Sequence, residues 1–266
     1  MPTIDPKQLL ADFIAERLDG DIYRLRDFHL ADLKGDKKYG CPSRSFDCDD
    51  TNLSRAIYCL AFGEVFPALN WETLADWTFR GDTVNTYNTL LGAPDENSLH
   101  PGLDRYAPSP ELAAKADAFY RTYHTIGNLM PLPNIFVGRR TFNLFRGTHP
   151  QWRDFVDRFI AALHPILTGN RAGADENLCA LVDANMEPLA PYCTTDGFKQ
   201  LMHGLMLEDY LDYEGKPIVQ SKGLYFWRKA NTREEYLAEV ERFIDFSNTI
   251  ISRRANRIIE KLKTQL

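Results

Sequence analysis

The strongest constraint in the chain lies near its C-terminus. Leu237, Ile244, Ile251 and Ile258 recur every seven residues beside Tyr236, Phe243 and Ile250, and only a helix gathers such positions into one stripe. Thr232 followed by Glu235 is a capping box that marks where this helix starts. The pattern predicts one helix of about thirty residues, about 45 Å long at 1.5 Å rise per residue. So long an apolar stripe must be covered. Either the rest of the chain packs on it as a core-spanning helix, the preferred reading, or a second copy covers it in a coiled-coil homodimer.

The remainder of the chain supplies ample material for that cover. Of 266 residues, 44% are hydrophobic and 12% aromatic, while 26% are charged, as suits an ordinary globular protein. The net charge of −6 argues against an extended nucleic-acid surface, which needs clustered lysine and arginine. Five cysteines, odd in number and irregular in spacing, give neither a disulfide framework nor a zinc ribbon. The first residues lack a signal pattern, and no stretch approaches the roughly 20 apolar residues of a membrane span. A cytoplasmic protein with no membrane partner is the expectation.

Local signals divide the chain into helices and loops. Asp5-Pro6 caps a first helix with Leu9, Leu10, Phe13, Ile14 and Leu18 on one face, ending near Gly20. Residues 21–50 read as irregular, with a short strand candidate at 22–25, and 54–62 as either a short helix or a buried strand. Asn70 caps a helical turn over WETLADWTF, and VNTYNTLL reads as a short helix stopped by Gly92. A loop over 93–110 leads to a helix that Ser109-Pro110-Glu111 starts and that stops before Gly127. The segment IFVGRRTFNLF after Pro131 and Pro133 predicts a strand or hairpin, and Pro150 opens a helix carrying Trp152, Phe155, Val156, Phe159, Ile160 and Leu163. Shorter helices are expected at 176–185 and 198–213, with two strand candidates, IVQ and LYFW, after Gly215. The fold class is mainly α, as a single domain over 1–266 with a small β element, and α+β is the alternative.

The densest run of chemistry-bearing residues is Ala118 to Trp152, where histidine, arginine and asparagine are set among aromatics, glycine and proline. His124, Gly127 and Asn128 form a helix-to-loop corner, and His149 lies on the far side of the expected hairpin. The tripeptide Phe-Arg-Gly occurs twice, around Arg80 and around Arg146, and a guanidinium next to glycine suits phosphate or carboxylate recognition. Those tripeptides invite comparison with ADP-ribosyltransferases, though no late catalytic glutamate follows in a strand setting. Asp47-Cys48-Asp49-Asp50-Thr51 resembles the Asp-x-Asp-x-Thr loop of haloacid-dehalogenase-type phosphatases, but GCPSRS stands where that loop needs a buried strand. Arg158 and His164 resemble the arginine–histidine signature of HEPN ribonucleases, with helix-end capping as the plainer reading. Asp47, Asp49 and Asp50 with either histidine form an acid-rich set in which no spacing requires a metal.

Taken together, FRGDTVNTYNTLLG, YHTIGNLMPLPN and FRGTHPQWRDF resemble a family of uncharacterised bacterial proteins over about Gly40 to Phe155. That resemblance implies a shared site in a bacterial protein and brings no reaction or cofactor with it. The residues themselves point to a pocket for an anionic or nucleotide-like small molecule, with Arg80, Asp82, Asn128 and Arg146 as ligand-binding groups. His124 and His149 are its acid–base candidates. The alternative is a non-catalytic interaction protein in which the same polar residues lock a loop.

Overall fold

The computed structural model describes residues 4–41, 46–75, 78–149, 155–221 and 232–266. The protein is mainly α-helical with one small antiparallel sheet and a long C-terminal helix. Helix α1 (Pro6–Arg17) begins as expected, with the Asp5 side chain accepting from the Lys7 amide. The strand candidate at 22–25 is instead part of a 3-10 turn over Ile22–Asp27, and further 3-10 turns cover Leu30–Leu33 and Cys48–Asp50. Helix α2 (Asn52–Phe62) settles the ambiguity at 54–62 in favour of helix. Thr51 caps it by accepting from the Ser54 amide, and nearly every side of it is buried.

Helix α3 (Trp71–Ala75) is short, and the chain turns extended at strand β1 (Phe79–Thr83). Helices α4 (Asn88–Leu91), α5 (Pro101–Asp104) and α6 (Pro110–Tyr123) follow, with α5 inside the expected 93–110 loop. Strand β2 (Leu129–Pro133) then pairs antiparallel with β1, Gly81 opposite Pro131 and Asp82 opposite Met130. The sheet is therefore not the hairpin expected at 135–145. That stretch makes a single bridge, Val137 to Arg140, and runs into helix α7 (Phe142–Thr148), which Thr141 caps.

Helices α8 (Val156–Leu167), α9 (Glu176–Ala184), α10 (Met186–Leu189) and α11 (Thr195–Gly204) complete the centre of the chain. IVQ is not a strand; Leu211 and Pro217 make one bridge nearby, and LYFW lies outside the described residues, as do Pro150 and Trp152.

Helix α12 (Arg233–Gln265) has 33 residues, so it is about 50 Å long. Its N-terminal half packs Tyr236, Val240, Phe243 and Ile244 against Leu112, Ala116 and Phe119 of α6. Its C-terminal half sends Ile258, Ile259 and Leu262 into the larger core with α1 and α2. Ile244, Ile251 and Ile258 are buried and Leu237 half-buried within the chain, so the stripe that suggested a dimer seam is already covered. Gly127 shows how closely the corner before β2 seats on this helix: a Cβ there would collide with the Ile251 carbonyl. Among the described residues, no helix is long and apolar enough to cross a membrane.

Candidate functional site

Strand β1 is the meeting point of the polar residues. Its side chains alternate between two sides, as strand geometry demands. Asp82 is 4% exposed, and its carboxylate pairs with the Arg146 guanidinium, reaching across from α7. Arg146 is wholly buried, donates a second bond of 2.7 Å to the Thr83 carbonyl, and lies over the Phe159 ring. A buried guanidinium survives only with its charge paired, and here Asp82 pairs the charge and the Thr83 carbonyl takes a second donor, while Nε has no hydrogen-bond acceptor among the described residues.

Just beyond β1, Asn128 fastens the chain to itself. Its Oδ1 accepts from the Asn85 amide at 2.7 Å, and its Nδ2 donates to the carbonyls of Asn85 and Tyr123 at 3.0 and 2.8 Å. The Tyr210 hydroxyl donates to Asn85 Oδ1, while Asn85 Nδ2 has no partner among the described residues. Arg254 of α12, also fully buried, donates to the carbonyls of Gly127, Leu129, Leu205 and Met206. Burial pushes that guanidinium down to about 10, which leaves it charged at neutral pH. Asp82, Arg146, Asn128 and Arg254 thus form an internal frame. Gly147, next to Arg146, lies within α7 with open space where a Cβ would point.

The other side of β1 differs. The turn Cys48–Asp50 lies against it, so close that a Cβ on Gly81 would strike the Asp49 carbonyl and come within 2.7 Å of the Tyr58 hydroxyl. Asp49 is 7% exposed, and its Oδ1 has no hydrogen-bond partner among the described residues; the buried Tyr58 hydroxyl is in the same position. Burial raises the Asp49 carboxyl well above the ordinary carboxylate range, helped by the hydrogen bond and charge of Asp47 and by Asp82, and opposed by Arg80. Asp49 therefore holds its proton more tightly than an ordinary carboxyl, and its neighbour Asp47 is open to water. The Tyr58 hydroxyl is likewise raised by burial and by the surrounding aspartates.

Two charged residues form the outer rim. The Asp47 side chain is 53% exposed, and that of Arg80, 28% exposed, approaches it loosely at 3.9 Å. Asp50 is not available in the same way, because Arg55 holds it through bonds of 3.1 and 2.7 Å. His124 closes α6 and pairs with His29, ring centroids 5.6 Å apart. Burial pushes its imidazole down to about 4, His29 adds to the depression, and the charge of Asp47 opposes it, so His124 lies within electrostatic reach of the rim. At neutral pH it is an uncharged base.

His149 belongs elsewhere. At the C-terminus of α7, its Nε2 is 3.6 Å from Asp175, its ring meets Phe145 edge-on, and it lines an open groove of about 380 Å³ with Ala162, Pro165 and Gly173. The two histidines were expected at the mouth of a hairpin that does not form. Arg80, Asp82, Asn128 and Arg146 do gather around β1, but only Arg80 reaches the surface.

The motif comparisons resolve on geometry. Asp47-Cys48-Asp49 is a 3-10 turn running into α2, with no buried parallel strand before the acids among the described residues. Arg158 binds the Ser221 hydroxyl and carbonyl, whereas His164 stacks edge-on against Phe198, so the pair does not converge. Of the two Phe-Arg-Gly segments, one is strand and the other helix, joined through the Asp82–Arg146 pair. Among the described residues, no three histidine, cysteine or acidic side chains are placed to hold a metal ion, and all five cysteines are unpaired thiols.

Sequence reasoning passed over Tyr58 and His29, and it weighed Asp49 only within an acidic motif. A tyrosine set within the apolar run IYCLAF of α2 was the available signal for the first. Nothing local marked His29, which is brought to His124 by a backbone bond from the Leu30 amide to the His124 carbonyl. The fold and site define a mainly α protein with an acid–arginine edge on a two-stranded sheet. In comparisons with family models, with curated proteins and with solved structures, the chain matches none.

Proposed function

We propose that the protein binds an anionic, nucleotide-like small molecule at the outer edge of β1, with Arg80 as the anion contact and Asp49 and His124 as an acid and a base beside it. One observation carries this reading. Next to a partly exposed arginine, the chain buries one oxygen of a carboxyl group, Asp49 Oδ1, and the Tyr58 phenol with no hydrogen-bond partner among the described residues. Such groups cost about 1–3 kcal/mol each unless something satisfies them, and strongly perturbed acids cluster at functional sites. A buried acid that holds its proton tightly, beside a solvent-exposed carboxyl and with a neutral imidazole in range, is suited to proton transfer near neutral pH. A bacterial cytoplasm, which keeps thiols reduced, is the setting this reading assigns, and phosphorylated metabolites abound there.

The earlier candidates are thereby redistributed. Arg80 stays as a ligand contact, His124 as a base, and Asp82, Asn128 and Arg146 become the frame beneath. His149 has no part in this site. A non-catalytic interaction protein is the second reading, favoured by how completely Asn128 and Arg146 are engaged internally.

The test is a thermal-shift screen of nucleotides, dinucleotides and phosphorylated metabolites on wild type and Arg80→Ala, since a ligand of the folded state raises its melting temperature by mass action. The proposal expects a stabilising ligand whose effect Arg80→Ala removes. A ligand effect that survives Arg80→Ala intact would contradict it.

A further inference from the structure

Helices α5 and α6 hold a second polar cluster, away from β1 and with a different imbalance. His100, the residue that leads into α5, is 8% exposed. Its Nε2 lies 3.6 Å from Oδ1 of Asp104 on α5, and its Nδ1 lies 3.7 Å from Oδ1 of Asp117 on α6. A neutral imidazole has one N–H and one lone pair, so whichever nitrogen carries the proton, one carboxylate faces a bare acceptor. Asp104 is the better served, because the Ser98 hydroxyl donates to its other oxygen. Nδ1 is buried with no hydrogen-bond partner among the described residues, and none of their lysines or arginines, Arg121 one turn along α6 included, pairs with Asp117. The side chains of Asp104 and Asp117 are nonetheless 47% and 43% exposed, so both acids are accessible to solvent.

We infer that this cluster binds a primary organic ammonium ion at the Nδ1 edge of His100. Such an ion gives one N–H to the His100 lone pair and a second to the Asp117 carboxylate, and it sets its positive charge against both acids. Aromatic rings stand beside it. Tyr120, three residues on from Asp117 and so on the same face of α6, meets the Tyr87 ring at 5.4 Å. Burial raises the Tyr87 phenol, and Tyr120, Asp117 and Asp104 add to the rise, so that ring lies within the field of both carboxylates. Aromatic faces next to acids suit the charge and the alkyl chain of an amine. A metal ion fits less well, because His100 turns opposite edges to the two acids and no three histidine, cysteine or acidic side chains among the described residues are placed to hold one.

Titration calorimetry on the full chain at neutral pH tests this with n-butylamine, tetramethylammonium and zinc chloride. Butylamine should bind, and tetramethylammonium, which has the same charge and no N–H, should bind at least about tenfold more weakly. Asp117→Asn should weaken butylamine at least about tenfold and Asp104→Asn less, while Glu187→Gln, the same change of charge on α10, should leave it unchanged. All three side chains are partly exposed, so the variants should fold, and their melting temperatures check this. Nitrogen-15 NMR of the wild-type histidines gives a second reading, in which butylamine shifts Nδ1 of His100 and tetramethylammonium leaves it in place. Butylamine that fails to bind, or that binds Asp117→Asn as tightly as wild type, would overturn the inference. So would tetramethylammonium binding as tightly as butylamine, or zinc shifting His100 where butylamine does not.

Discussion

The two sides of strand β1 carry the same kinds of residue and have opposite fates. On one side Asp82 meets Arg146, and nearby Asn128 and Arg254 spend their donors on backbone carbonyls, so most of the buried polarity, Asn85 Nδ2 and Arg146 Nε apart, is answered from within the chain. On the other, against Gly81, Asp49 Oδ1 and the Tyr58 hydroxyl are buried with no hydrogen-bond partner among the described residues, while Arg80, which strand alternation puts on the same side as Asp82, reaches out to Asp47 at the surface. Burying a polar group is costly only when it is unsatisfied. The charges of the first side are thus paired within the fold, whereas the second leaves a carboxyl oxygen and a phenol whose cost no described residue offsets. Strain of this sort is expected where a fold has been shaped for a ligand.

That contrast breaks first at Arg146. Arg146→Ala would leave Asp82 buried without its partner and should cost about 3–5 kcal/mol, read from urea denaturation midpoints. A paired change, Asp82→Asn with Arg146→Met, should recover part of the loss, because it removes both charges together. Full stability in Arg146→Ala alone would show that the frame is not what holds β1 in place.

The next effect is a pH dependence at the rim. The folded His124 imidazole is held at about 4, against about 6.5 in an unfolded chain. As pH falls from 6.5 to 4, the unfolded state takes up a proton that the folded state refuses, so stability present above pH 6.5 drains away across this window. The loss should be on the order of 2–3 kcal/mol, and His124→Gln should flatten that part of the stability profile. An unchanged slope would place His124 in a wetter setting than its burial implies.

Asn128→Ala should cost less, about 1–3 kcal/mol, since it strips the bonds that tie Asn85 and Tyr123 to the corner. Smallest of all is Tyr58→Phe. Removing a hydroxyl that has no partner among the described residues should shift stability by less than about 1 kcal/mol, in the stabilising direction, while weakening the response to a ligand. A clear loss of stability in Tyr58→Phe would mean that the hydroxyl is satisfied after all, and the contrast between the two sides would fade.

Much of the frame was legible before the fold. The heptad row and the Thr232 cap give α12, and Ser109-Pro110 and Asp5-Pro6 give α6 and α1, because helix signals are local. The sheet was not legible. FRGDT lacks apolar alternation and LMPLP carries two prolines, and their pairing joins residues far apart in sequence. A two-stranded sheet lets such a proline face away from the ladder, which a local pattern cannot reveal. The site was half legible for a related reason. Arg80, Asp82, Asn128 and Arg146 were picked out by type, but residue type does not say which polar groups the fold will satisfy. That depends on Arg146 reaching β1 from α7, and on the turn at Asp49 lying against Gly81.

The central claim is that the β1 edge holds a carboxyl group with its proton on, and carbon-13 NMR titration of the aspartate side chains reads it directly. Asp49→Asn assigns the resonance. The account predicts that the Asp49 carboxyl carbon stays in its protonated position as pH rises well past the ordinary value of about 3.9, and that Arg80→Ala moves its midpoint higher still by removing the cation that favours ionisation. A midpoint in the ordinary carboxylate range, unmoved by Arg80→Ala, would contradict it.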